Sequence, residues 1–391
     1  MKFFRNTALT VVASTLLTSA AHASGWGTEG INPGGALFND KTFVMQGAVL
    51  YALPERNYTN ATAAPAARTP AGLTSANTDV GNKFYLLSGD IKFAVNEEVD
   101  CAVRAHQAYH NDTTADANWI GATYSLTSQI DSFSLDGTCS YKFAVGDGQR
   151  LRLIGGVTST DLEIERSNLL DAGAAFVAGA PAGANNSYNL EGDRVFGYRI
   201  GAAFEIPQYA LRAQVIYDSE RDIDLTGTQT VNGVVVAPAR ASITLPKSVS
   251  ARVQSGINET TLLYGGVRWT EWSVIGTLAV TGGRPVTVPT GYNDAWDAEF
   301  GVQKKLTKDL SGSAAVSWSQ GIGGGYNDSW GFSLGVSYDL DDNWRLGVGA
   351  SARYLTGSNG EGGLLGGQRV TYSQADDWAY AVGVRLQYSI D

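Results

Sequence analysis

Three histidines occur in the 391 residues, and one of them, His22, lies in a leader-like start. The other two, His106 and His110, stand four apart at the edge of one loop between apolar runs. A Ser–His hydrolase needs a base held beside one serine, and no spacing here singles one out. There is no Cys/His pattern of a metal centre and no glycine-rich phosphate loop. The reading is therefore a non-enzyme with no catalytic residue, no metal and no cofactor. A barrel enzyme such as an outer-membrane lipase is the reading that replacement of His106 and His110 would test.

The remaining residue types that could do chemistry are cysteines and arginines. Cys101 and Cys139 are too few for a disulfide scaffold, though one bridge is possible in an oxidising compartment. Eight arginines, Arg104, Arg152, Arg199, Arg212, Arg252, Arg345, Arg353 and Arg385, fall on one parity of alternating segments. Asp100, Asp136, Glu205, Asp297 and Glu299 share that face. Unpaired charge is costly in a partly dry interior, so a bracing ion-pair network is expected. The sharper reading is that one or two, with Arg104 and Arg199 as candidates, hold a ligand carboxylate bidentately.

What must position these residues is visible in the alternation itself. In the stretch "DDNWRLGVGASARYLTGS", Trp344, Leu346, Val348, Ala350, Ala352 and Tyr354 alternate with Arg345, Gly347, Gly349, Ser351 and Arg353. The same period of two recurs at 328–340, 374–391 and 193–206, as a two-sided sheet requires. From Trp344 to Tyr354 the chain would run roughly 33 Å at about 3.3 Å per residue. Tilted by about 45°, it spans roughly 23 Å, close to the apolar band of an outer-membrane barrel. Soluble sandwich strands are shorter, at about 5 to 6 residues. The apolar face thus meets lipid, aromatic ends mark the two water interfaces, and the Gly/Ser/Arg face looks into a lumen.

Fourteen such segments are predicted, near 42–53, 83–95, 98–108, 129–144, 149–163, 193–206, 209–224, 241–257, 260–277, 293–306, 309–320, 328–340, 343–356 and 374–391. Short and long connections alternate, and bacterial barrels keep short turns at the periplasm. Both termini are then periplasmic. The fold class is all-β, a transmembrane antiparallel β-barrel of about 14 strands with a short N-terminal hatch segment. Lys2 and Arg5, an apolar stretch from Ala8 to Leu17, and Ala21-His22-Ala23 make residues 1–23 a signal peptide. Residues 24–41 form the hatch or plug, and 42–391 the barrel. No later run is long and apolar enough for a spanning helix. Removing Lys2 and Arg5 takes the net charge from -10 to -12, an acidic balance that gives nucleic acid no electrostatic footprint. Cys101 and Cys139 lie on strands joined by the loop at 108–128, a few residues from short turns. They can be bridged if directly opposite; otherwise they are two thiols against lipid.

Three stretches carry a family resemblance. "INPGGALFNDKTFVMQGAVLYALPERNYTNA" (Ile31 to Ala61), "LPKSVSARVQSGINETTLLYGGVRWTEWS" (Leu245 to Ser273) and "GYNDAWDAEFGVQKKLTKDL" (Gly291 to Leu310) resemble, in order, segments of the FadL-type outer-membrane transporters of long-chain fatty acids and other hydrophobic compounds. The resemblance implies a fourteen-stranded barrel plugged by an N-terminal hatch containing Asn32 and Pro33. It also implies capture by outer loops and sideways release where an inward-kinked third strand breaks the wall. Two departures stand out. Only about eight residues precede Asn32 after the leader, a short hatch, and the chain ends in Ile390-Asp391 with Tyr388 as the nearest aromatic.

The loop "SNLLDAGAAFVAGAPAGANN" is apolar for an outer loop, and Leu169, Leu170, Phe176 and Val177 are its candidate landing patch for a hydrophobic ligand. Ser167 or Asn168 would cap a short helix there; the alternative is a loop packed over the mouth. Arg268, Trp269, Thr270, Glu271 and Trp272 form an aromatic and charged cluster late in a strand, whose tryptophans are read as interface girdle, or else as ligand contacts. The expected function is uptake of hydrophobic compounds such as long-chain fatty acids across the outer membrane of a Gram-negative bacterium, by a monomer whose partners are its hydrophobic ligand and lipid. The alternative is a general diffusion porin for polar solutes.

Overall fold

Alternating β-branched, aromatic and small residues favour strands, and a closed ring leaves no lipid-exposed edge unpaired. The computed structural model describes residues 25–282, 286–363 and 368–391, so the leader expected at 1–23 lies outside the described residues. Fourteen strands form the wall: β1 (Phe43–Pro54), β2 (Phe84–Ala94), β3 (Val99–His106), β4 (Ser134–Gly146), β5 (Gln149–Leu169), β6 (Asn185–Ile206), β7 (Leu211–Asp218), β8 (Ser248–Asn258), β9 (Thr261–Thr270), β10 (Ala295–Lys305), β11 (Leu310–Ser319), β12 (Ser329–Asp339), β13 (Trp344–Leu355) and β14 (Asp377–Ile390). Each pairs antiparallel with the next. β14 returns onto β1 from Phe43↔Ile390 to Pro54↔Ala379, which closes the barrel.

Outward residues such as Phe332, Leu334, Val336, Val382 and Val384 are exposed, while Arg152, Arg199, Arg252 and Arg353 on the inward parity are buried. A soluble protein would reverse this. At one end of the β13–β14 pair Trp344 lies 4.9 Å from Tyr388, and at the other Tyr354 lies 5.4 Å from Trp378. These are the paired girdles of a membrane barrel.

Several segments expected to be single strands are broken. Thr127–Asp131 is separated from β4 at Ser132-Phe133, and Arg221–Val231 from β7 at Ser219-Glu220. Val234–Leu245 is separated from β8 at Pro246-Lys247, where proline removes a ladder donor. Beyond these breaks the chain continues as hairpins above the wall, His110–Thr114 with Thr127–Asp131 and Arg221–Val231 with Val234–Leu245. β5 and β6 run on unbroken apart from a bulge at Gly192, so about half of the loop expected at 164–192 is strand. A separate four-stranded sheet, Asn57–Ala64, Thr78–Asp79, Ser358–Gly363 and Arg369–Gln374, has its own core of Ala61, Val80, Trp119, Val370 and Tyr372.

The N-terminal segment from Gly25 to Thr42 runs inside the wall. Thr28 N donates to Ala108 O at 3.0 Å and His110 N to Trp26 O at 2.8 Å. Pro33 is buried, and the turn after it places Gly34 at φ 71, a left-handed conformation glycine adopts without strain. Leu37 and Phe38 then enter the lumen: Leu37 packs with Ala102, Ile154, Ala203 and Ile216, and the Arg212 guanidinium lies 4.1 Å above the Phe38 ring. Short as it is, the segment reaches both walls.

Candidate functional site

Sequence parity puts charge inside the barrel, and burial forces that charge to pair. Glu29 is the hub. Its Oε1 lies 3.4 Å from both Arg104 Nη1 and Arg199 Nη2, and its Oε2 lies 3.1 Å from Arg268 Nη2. Arg268 also donates to Glu29 O at 3.4 Å and Gly30 O at 3.0 Å. Arg199 is held further by Asp218 at 2.6 Å and Asp136 at 3.6 Å, and Arg104 by Asp90 at 3.7 Å. A second knot joins Arg152 to Asp100 at 2.7 Å and Glu205 at 2.8 Å; a third joins Arg252 to Glu299 at 3.0 Å. The two ligand candidates Arg104 and Arg199 therefore sit in ion pairs with the N-terminal segment. Asn32 sits beside them, its Oδ1 accepting from Gln214 Nε2 at 2.9 Å.

Among the described residues, Glu29, His106 and Asp136 bring ligand-type atoms within 4.8 Å of one another. Three guanidiniums already face Glu29, so a cation placed there would meet like charge. His106 Nε2 is within 3.2 Å of Asp136, which fits a braced histidine at the end of β3.

Above this layer the lining changes. Trp26, Tyr109 and Trp272 meet edge to face, with Trp26–Trp272 at 6.1 Å and Tyr109–Trp272 at 6.3 Å. Trp272, expected at the lipid interface, is instead buried in the lumen. It follows Arg268 and Thr270 on the inward parity of β9, and the turn Trp272–Val274 begins with it. Over this floor lies a space of about 150 Å³ bordered by Tyr58, Trp119, Tyr124, Ile130, Ile164, Tyr292, Tyr326 and Tyr372. Burial pushes the Tyr326 phenol up to about 12 and raises Tyr58 as well, as a dry chamber should.

A second space of about 90 Å³ shares Arg56, Asn111, Thr113 and Tyr326 with the first and extends to Phe84 and Leu86 on β2. There the wall is incomplete. β2–β3 pairing stops at Ser88↔His106, whereas β2 continues to Phe84 against β1. After His106 the chain turns inward, and Ala108 and Tyr109 are buried. It rejoins above through the Gly81↔Thr113 bridge. The window so framed is crossed by Leu87 N donating to Gln107 Oε1 at 3.1 Å, and by the Phe84 ring 4.5 Å from His110. His110 is anchored in turn by Asp131 at 2.7 Å.

On the outside, Phe176 and Val177 are 88% and 73% exposed on α1 (Ala172–Ala178), with Val234, Val235 and Val236 exposed on the neighbouring hairpin. Leu170 does not join them. At 3% exposed it fills a small core with Ala175 and Ala184, because Leu170 N and Gly183 N close the loop by backbone bonds. Leu169 ends β5 half-buried. The cap of α1 is Asp171, not Ser167 or Asn168: its carboxylate accepts from Gly173 N and Ala174 N and also binds Arg68 at 2.6 Å. Cys101 and Cys139 stand directly opposite on β3 and β4 and form a disulfide.

The sequence reading missed Arg56, Tyr58, Trp119 and Tyr326, which lie in loops and short outer strands where no period marks an inward face. The density of tyrosine and tryptophan in 51–58, 119–124 and 326 was the available signal.

A family model described as outer membrane protein transport protein (OMPP1/FadL/TodX) matches residues 10–354. The chain belongs to this family. It is an outer-membrane protein, and the fold of solved relatives agrees. A FadL homologue from Pseudomonas aeruginosa superposes with TM-score 0.79 at 18% identity, covering 92% of this chain and 93% of that one. The Ralstonia pickettii toluene transporter TbuX gives 0.67 at 13% identity over 96% and 98%. The P. putida toluene transporter TodX gives 0.62 at 13% over 92% of each. No curated protein sequence matches significantly. This FadL/TodX-family chain thus places an aromatic chamber, a wall window and an ion-paired N-terminal segment in one lumen.

Proposed function

We propose that the chain is a passive, monomeric channel, not an enzyme, that takes up hydrophobic small molecules and releases them sideways into the outer membrane. Phe176, Val177 and the exposed valines of the next hairpin form the landing surface. The aromatic chamber holds the ligand, and the window beside β3 lets it leave. The observation that carries this reading is the window: two connected cavities run from beneath the outer sheet to a place where β2 loses its strand partner. The driving force is the ligand's gradient and its partition into lipid. Solved relatives named as toluene transporters and a FadL homologue are consistent with a hydrophobic cargo. Residues 24–41 act as the hatch, with Asn32 and Pro33 in it, and the Glu29 ion pairs argue against the open, watered lumen of a diffusion porin.

Vesicles with a lipopolysaccharide outer leaflet, offered a fluorophore that brightens in hydrocarbon, test the proposal. Protein-bearing vesicles should brighten faster than bare ones while planar bilayers show little steady ion current. Equal brightening ends the channel reading, and a large steady current replaces it with the porin.

A further inference from the structure

Every buried guanidinium of the Glu29 layer has a carboxylate partner, but the aromatic chamber above holds two arginines that do not. Arg56 Cζ lies 5.2 Å over the Tyr326 ring and Arg166 Cζ lies 5.0 Å over the Tyr124 ring. Among the described residues neither has a carboxylate within ion-pair distance. Arg166 donates to the Tyr124 carbonyl at 3.2 Å, and Glu361, on the same rim, is bonded to Arg369. The Tyr58 phenol takes part of the Arg56 edge and the Tyr124 carbonyl part of the Arg166 edge. A guanidinium has five N–H donors, and those left over match a carboxylate.

The rest of the lining sharpens the choice. Tyr58 and Tyr372 lie 4.5 Å apart and Trp119 closes on both at 5.8 and 6.0 Å, so the walls are rings with few rotamers. Flat rigid rings suit a flat rigid guest, by offset or edge-to-face contact. Phenol groups add donors, whereas the cation-binding faces of two rings are already covered by arginine. Arg56 borders both cavities, so it stands where a ligand passes from chamber to window.

We propose that the chamber is selective for aromatic acids, with Arg56 and Arg166 as the specificity-determining residues that receive the carboxylate while the tyrosine and tryptophan walls take the ring. The transport part of this statement rests on the channel reading; the binding part does not.

Calorimetric titration of the full chain in detergent with 2-naphthoate, naphthalene and decanoate tests it. 2-Naphthoate should bind at least about tenfold more tightly than either comparison ligand, because only it uses both charge and ring. Arg56→Gln with Arg166→Gln should reduce that preference about tenfold, and the corresponding double lysine variant should restore part of it. The lysine variant also controls for misfolding. Equal binding of naphthalene, equal or tighter binding of decanoate, or an undiminished preference in the glutamine variant would overturn the proposal. In vesicles the two readings separate. If none of the three enters faster with protein, the channel reading falls and a measured binding preference still stands; if all enter equally fast, the channel stands and the selectivity is refuted.

Discussion

The lower and upper halves of this lumen use the same side chains for opposite ends. Below, Glu29 meets Arg104, Arg199 and Arg268, and Arg152 meets Asp100 and Glu205, so charge is cancelled locally and the N-terminal segment is tied to the wall. Above, Arg56 and Arg166 lie on tyrosine rings around open space, and the wall itself is interrupted. Paired charge ties a segment to the wall; in the proposed reading, charge beside the cavity receives the ligand. The Trp26–Tyr109–Trp272 contact is the boundary between the two.

The largest effect should come from breaking that tie. Glu29→Ala leaves Arg199 with Asp218 and Asp136 and Arg104 with Asp90, but takes from Arg268 its ion pair at 3.1 Å. The loss is roughly 3 to 5 kcal/mol for a buried pair with one partner removed. Steady ion conductance in planar bilayers should rise sharply and the thermal transition in detergent should fall. Wild-type conductance in this variant would mean that the ion pairs do not hold the segment in place.

The sequence showed the parts of that tie but not its hub. Strict alternation on β13 and β14 fixed which residues face lipid, and the fourteen segments followed from that. Arg104 and Arg199 were placed inside by parity alone. Their partner Glu29 was not foreseen, because an irregular segment has no period to say where a side chain points. The same limit hid Arg56, Tyr58 and Tyr326. The girdle reading of Trp272 fails differently: Trp272 shares the parity of inward Arg268 and Thr270, not that of outward Trp269. Leu170 was expected in the landing patch on composition; backbone bonds across the loop bury it instead.

A comparable contrast exists within one strand. The lower part of β3 is joined to β4 by Cys101–Cys139, 38 positions apart in the sequence, while its upper end leaves the wall after His106. Replacing both cysteines by serine should cost roughly 2 to 4 kcal/mol, as loss of a cross-link of this span does, seen as a lower unfolding temperature in detergent. Uptake into vesicles should change little, since the window lies above the bridge. A large gain in uptake would show that the bridge restrains the window itself.

Outside the barrel, Phe176→Asp should slow delivery of a lipophilic fluorophore about tenfold by placing charge on the landing surface, with folding unchanged because the side chain is almost fully exposed. Unchanged delivery would remove α1 from the route and leave the chamber to capture ligand directly.

The finest test separates window from plug. The Phe84 ring against His110 is an aromatic contact across the gap, and such contacts contribute about 0.5 to 1.5 kcal/mol. Phe84→Ala removes it without touching Glu29, Arg199 or Arg268. Transfer of fluorophore into the bilayer should therefore quicken by roughly twofold to tenfold if ring separation limits release, and ion conductance should stay low because the charged layer lies beneath. The Glu29 variant should do the reverse, raising conductance more than lipid transfer. If Phe84→Ala raised conductance instead, the window would open into the same aqueous path as the plug, and the two halves of the lumen would be one compartment.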